Sequence, residues 1–104
     1  MTNNRIEQLK KILGDNEKDS LTRYMLALEY RELGETDKCL NLFKEIIETD
    51  PNYTAVYYHL GKLYEDMERR DEAEETYIMG MQMVKDKNGR EYRELKGALE
   101  MMRG

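Results

Sequence analysis

Sliding this chain along itself by 34 residues brings like onto like. Leu26 falls on Leu60, Ala27 on Gly61, Tyr30 on Tyr64, Asp37 on Asp71, Cys39 on Ala73 and Phe43 on Tyr77. Large residues meet large ones and small residues meet small ones. Residues 20–53 and 54–87 therefore read as two copies of one unit. A unit of that length cannot bury its apolar face alone, so neighbouring units must stack.

The apolar spacing inside each copy is helical. Ile6, Leu9, Ile12 and Leu13 share one face, and Gly14 closes that run. Asn4 is its expected cap, with Glu7 three residues on. Asp19 or Ser20 caps a second helix carrying Leu26, Ala27, Tyr30 and Leu33, which Gly34 stops. Thr36 and Asp37 open a third, with Cys39, Leu40, Phe43, Ile46 and Ile47. Asp50-Pro51-Asn52 breaks it, since proline lacks an N–H and restrains the residue before it. Thr54 is the expected cap of a fourth helix with Tyr57, Leu60, Gly61, Tyr64 and Met67. Asp71-Glu72-Ala73-Glu74 opens a fifth with Ala73, Tyr77, Met81 and Val84, and Met81 is expected in its core. Asn88-Gly89-Arg90-Glu91 opens a sixth with Tyr92, Leu95, Leu99 and Met102, interrupted by Gly97. No segment alternates over strand length, so the class is all-α with about six helices and no sheet.

A 34-residue period of paired helices resembles the tetratricopeptide repeat. The second copy carries the resemblance through Tyr57, Leu60, Gly61, Tyr64, Ala73 and Tyr77. The first copy carries it through Leu26, Ala27, Tyr30, Phe43 and Pro51, with Cys39 at a small-residue position. Arg23 stands where that family prefers a large apolar residue, Gly80 where it has Ala, and Lys85 where Pro51 would recur. The resemblance implies a right-handed superhelical stack. Small residues let paired helices approach, and Tyr30 with Phe43 and Tyr64 with Tyr77 fill the remaining space. The first helix is in register with the second helix of a preceding repeat, and the last with the first helix of a following one. The expected organisation is a single domain over 1–104: a half-repeat at 1–19, repeats at 20–53 and 54–87, and a capping helix at 88–104.

Chemistry is sparse. His59 is the sole histidine and Cys39 the sole cysteine, so no metal set of usual spacing and no internal disulfide is expected. The carboxylates between Glu65 and Glu75 are interleaved with Arg and read as a solvated junction. No phosphate-binding glycine loop occurs. The expectation is a protein without enzymatic activity or cofactor. A net charge of −5 disfavours nucleic acid as a partner. No apolar run is long enough for a membrane span or resembles a signal peptide, so the expected setting is cytoplasmic, without membrane contact.

Tyr24, Tyr58 and Tyr92 follow one another at the same 34-residue interval. Tyr24 lies three residues before Ala27, about 60° round the helix from it and beside the core stripe. In the family resembled, that edge lines a concave groove holding extended peptides. Leu28 and Arg31 continue the stripe in one copy, Lys62 and Glu65 in the next, and Lys96 in the last. Aromatic rings with polar tips make good anchors. Some family members clamp the terminal carboxylate of chaperones with Lys, Asn and Arg. Here Tyr24, Leu28 and His59 occupy those places, which favours an extended peptide with apolar side chains instead. The expected function is a protein–protein interaction module or adaptor that binds a protein or peptide segment. The alternative is a self-associating structural unit, such as a homodimer, or a fragment of a longer array.

Overall fold

A computed structural model describes residues 2–15 and 19–104, with side chains from residue 4 onward. Among the described residues there are six α-helices and no strand: α1 (Thr2–Asp15), α2 (Ser20–Glu32), α3 (Thr36–Thr49), α4 (Ala55–Asp66), α5 (Arg70–Met83) and α6 (Arg90–Arg103). They form two compact units, Met1–Tyr53 and Thr54–Gly104.

In the first unit α2 packs against both α1 and α3. Its core joins Ile6 and Leu9 of α1, Leu26, Ala27 and Tyr30 of α2, and Cys39, Phe43 and Ile46 of α3. Asp19 caps α2, its carboxylate accepting from the Thr22 backbone N–H at 3.2 Å and from the Thr22 hydroxyl. Those hydrogen bonds hold the Asp19 carboxyl below the usual carboxylate range. Ser20 donates to Asp50 at 2.7 Å and so ties the start of α2 to the end of α3.

In the second unit α5 packs against α4 and α6, and α4 also meets α6. Two glycines set the approach of α5. A Cβ on Gly61 would lie 2.2 Å from Tyr77 Cε1, and one on Gly80 would lie 2.6 Å from Tyr57 Cβ. Gly80 departs from the Ala of the resembled pattern because the Tyr57 side chain already fills that space. Tyr57, Tyr77 and Leu95 are fully buried at this junction.

The two copies end their first helices identically. Gly34 N–H donates to Arg31 C=O at 3.0 Å and Glu35 N–H to Tyr30 C=O at 2.9 Å. Thirty-four residues on, Glu68 N–H donates to Glu65 C=O at 2.9 Å and Arg69 N–H to Tyr64 C=O at 2.8 Å. The turn needs a left-handed residue: Gly34 has φ 76°, and Glu68 takes φ 60° with a side chain in place. That conformation costs an L-residue roughly 1–2 kcal/mol. Glu68→Gly is therefore expected to stabilise the protein by about 1 kcal/mol, after allowance for the extra freedom of glycine in the unfolded chain. A thermal melt should rise by several degrees, and an unchanged or lower midpoint would contradict the strain assigned to Glu68.

Several expected details differ. α1 begins before Asn4, which lies inside the helix, and continues past Gly14 to Asp15. Ile12 is 50% exposed: within its unit α1 packs on α2, and the buried arc through Ile6 and Leu9 leaves Ile12 at its margin. Leu33 lies just past α2 and is 46% exposed. Glu35, Thr54, Arg69 and Gly89 are the cap residues of α3 to α6, and none makes a side-chain cap hydrogen bond. Thr54 instead gives its hydroxyl to Glu91. Tyr24 and Tyr58 also bring their rings to Phe43 and Tyr77, and Tyr30 and Tyr64 lie under Lys38 and Arg69. Met81 is half-buried, not a core residue.

Candidate binding faces

In the first unit the candidate residues Tyr24, Leu28 and Arg31 lie on α2, spaced by four and three, and all three are half-buried. The Tyr24 ring rests between two others, with centroids 6.4 Å from Phe43 and 5.7 Å from Tyr53. Burial, and then the neighbouring phenol of Tyr53, push the Tyr24 hydroxyl above its ordinary pKa, so it stays a neutral donor. Leu28 and Arg31 line a cleft of about 410 Å³ together with Glu29 and Glu32. Tyr53, a ring neighbour that the repeat pattern does not single out, completes the aromatic side of this face.

In the second unit Tyr58, Lys62 and Glu65 lie on α4, with Tyr92 and Lys96 on α6. Tyr58 is half-buried, 6.4 Å from the Tyr77 ring and edge-on to His59 at 5.7 Å. Lys62 Nζ lies 5.6 Å from the Tyr58 centroid and 3.8 Å from Glu65. Glu65 also accepts a hydrogen bond from the buried Tyr77 hydroxyl. Burial and that bond raise the Tyr77 pKa well above the phenol range. Lys96 is exposed.

Tyr92, half-buried, helps line a cleft of about 330 Å³ with Ile78, Met81, Leu99, Lys87 and Arg103. Lys87 donates to the carbonyls of Met81, Gln82 and Val84, which closes the C-terminal end of α5, and its ammonium lies 5.6 Å from the Tyr92 ring. Of these neighbours, Leu99 was traceable in the sequence as the counterpart of Arg31 and Glu65. Lys87 was not, because its reach back to the helix end depends on side-chain direction.

Reactive chemistry finds little footing. The Cys39 thiol is fully buried, and burial pushes its pKa up to about 11 against the opposing charge of Arg31, so it is a protonated thiol at neutral pH. In the acidic stretch, Glu72 is gripped by two Arg69 nitrogens at 2.6 Å each. Hydrogen bonding from Arg103 holds Glu74 below the usual range, the opposite of what a general acid needs. Among the described residues, no three His, Cys, Asp or Glu side chains are grouped to hold a metal ion. None of the helices there is long and apolar enough to cross a membrane.

The profile of the tetratricopeptide repeat matches residues 30–99. The chain belongs to the tetratricopeptide repeat family. A tetratricopeptide repeat domain protein from Salinibacter ruber is similar in structure, with a TM-score of 0.77 and 40% identity over 83% of this chain and 97% of that one. A solution structure of a tetratricopeptide repeat domain protein from the same organism gives a TM-score of 0.76 at 40% identity, over 81% and 86% of the two chains. The crystal structure of MamA shares the fold, with a TM-score of 0.75 at 24% identity over 97% of this chain and 62% of that one. An uncharacterized protein ycf37 from Pyropia yezoensis is 32% identical over 53 residues, which is 51% of this chain, and the match spans 30% of that relative's length. Tetratricopeptide repeat folds generally mediate protein–protein interaction, and proteins built on them are generally non-enzymatic scaffolds.

Proposed function

We propose that this chain is a non-enzymatic interaction module that holds protein or peptide segments on the aromatic face of α2 in the first unit and on those of α4 and α6 in the second. The residues assigned to these faces are Tyr24, Leu28 and Arg31 on α2, Tyr58, Lys62 and Glu65 on α4, and Tyr92 and Lys96 on α6. One observation carries this reading. The three tyrosines at the 34-residue interval are each half-buried, whereas the core tyrosines Tyr30 and Tyr64 are only 7% and 6% exposed. A ring fixed on one side and open on the other is a rigid anchor with a polar tip. Residues 1–104 act as one domain in this reading, in a cytoplasmic setting without nucleic acid, as the acidic balance and the single cysteine favour.

The test is affinity capture from the source cell with wild type and with a Tyr24→Ala, Tyr58→Ala, Tyr92→Ala triple variant. Each anchor is expected to contribute roughly 1–2 kcal/mol, so the triple variant should lose the captured protein while keeping its helical circular dichroism. Equal capture by both proteins would remove the reading. Exposed Ile12, Leu21 and Met101, the last at 81%, favour self-association into a homodimer as the second reading. Light scattering of the purified chain over a concentration series decides it.

A further inference from the structure

A linked set of four side chains runs from Tyr77 of α5 in the core to the surface of α4. Tyr77 is fully buried, and its ring lies hard against Gly61, so its hydroxyl is fixed in place. That hydroxyl donates to Glu65. Glu65 lies 3.8 Å from the Lys62 ammonium, and Lys62 lies 5.6 Å from the centre of the Tyr58 ring. A carboxylate held by a buried phenol is a fixed charge, whereas a half-buried lysine such as Lys62 keeps rotational freedom in its ammonium end unless something holds it.

The two copies of the repeat differ at these positions as a set. Where Tyr77 stands in the second copy, the first has Phe43, with no hydroxyl to give. Where Glu65 stands, the first has Arg31, with no acceptor to offer. Where Lys62 stands, the first has Leu28. Only the tyrosine is common to both, as Tyr24 and Tyr58. Donor, acceptor and ammonium are present together or absent together, as expected if they act as one device.

We infer that Glu65 is a positioning residue and not a partner contact: anchored by the Tyr77 hydroxyl, it holds the Lys62 ammonium over Tyr58. The α4 face thereby meets a partner with a phenol and an ammonium already arranged as a pair, suited to a segment that offers an apolar surface beside a hydrogen-bond acceptor. Holding Lys62 beforehand removes ordering that binding would otherwise require. The geometric part stands by itself; the recognition part rests on the binding faces proposed above.

The experiment uses the full chain and has two arms. In the first, nuclear magnetic resonance follows the Lys62 side-chain protons, which the Tyr58 ring current is expected to displace upfield. Tyr58→Leu defines the full loss of that displacement. Glu65→Gln and Tyr77→Phe are each expected to shift the Lys62 protons toward that limit with the backbone amide spectrum preserved. Tyr77→Phe places in the second copy the ring that the first copy already accommodates as Phe43. Unmoved Lys62 protons in Glu65→Gln would overturn the inference. In the second arm, peptides selected from a phage-displayed random library on wild type are titrated against the variants. Glu65→Gln should weaken them about fivefold or more, and should add nothing in a Lys62→Ala background. A further loss there would make Glu65 a direct contact and overturn its positioning role. Peptides indifferent to Tyr58→Ala would sink the proposed binding face, while the first arm still decides the tether.

Discussion

Gly61→Leu is expected to lower the melting temperature of the protein by more than any surface substitution. The first atom of the new side chain already falls 2.2 Å from Tyr77 Cε1 and 2.6 Å from two further atoms of that ring. Tyr77 has nowhere to retreat: it is fully buried and hydrogen-bonded to Glu65. Overpacking a dense interior costs typically about 1–3 kcal/mol, and more where the neighbours cannot give. For a chain of this size each kcal/mol corresponds to roughly 4–8 °C. A melt of Gly61→Leu superimposable on wild type would show that α4 and α5 do not approach as described.

Tyr64→Ala should have an effect at least as large, and its comparison with Tyr58→Ala separates core from face. Tyr64 is 6% exposed, with the Arg69 guanidinium 5.1 Å from its ring centre. Removing a buried ring costs about 3–5 kcal/mol, a large part of the stability of a small domain. Tyr58 is half-buried and loses only part of its contacts on truncation. Chemical denaturation should therefore give a clearly smaller loss for Tyr58→Ala. Equal losses would assign Tyr58 to the core and remove the main support for a peptide-binding face on α4.

The helical repeat was legible because its signal is redundant: Leu26 with Leu60, Ala27 with Gly61 and Cys39 with Ala73 all report one interval. Helix ends were less so. Asp19 caps α2 as its sequence suggests, yet Thr54 gives its hydroxyl to Glu91, a residue 37 positions away, which no local pattern encodes. Apolar identity also overstated burial at Ile12 and Leu33, since a helix face buries only the arc its neighbours cover. The candidate faces divide similarly. The interval among Tyr24, Tyr58 and Tyr92 marks the positions. What surrounds each ring (Tyr53, the Glu65–Lys62 pair, Lys87) follows from side-chain directions that spacing does not carry.

Cys39 gives the chain a clock of its own. The thiol is sealed in the first unit and held protonated, and no other thiol exists in the sequence. A disulfide reagent therefore reacts only during moments when α3 lifts from α2. With reclosing fast, the labelling rate reports the equilibrium population of that open form, a local quantity distinct from global unfolding. Substitutions in the second unit and ligands bound there can then be scored, one molecule and one sulfur at a time, for whether the first unit feels them.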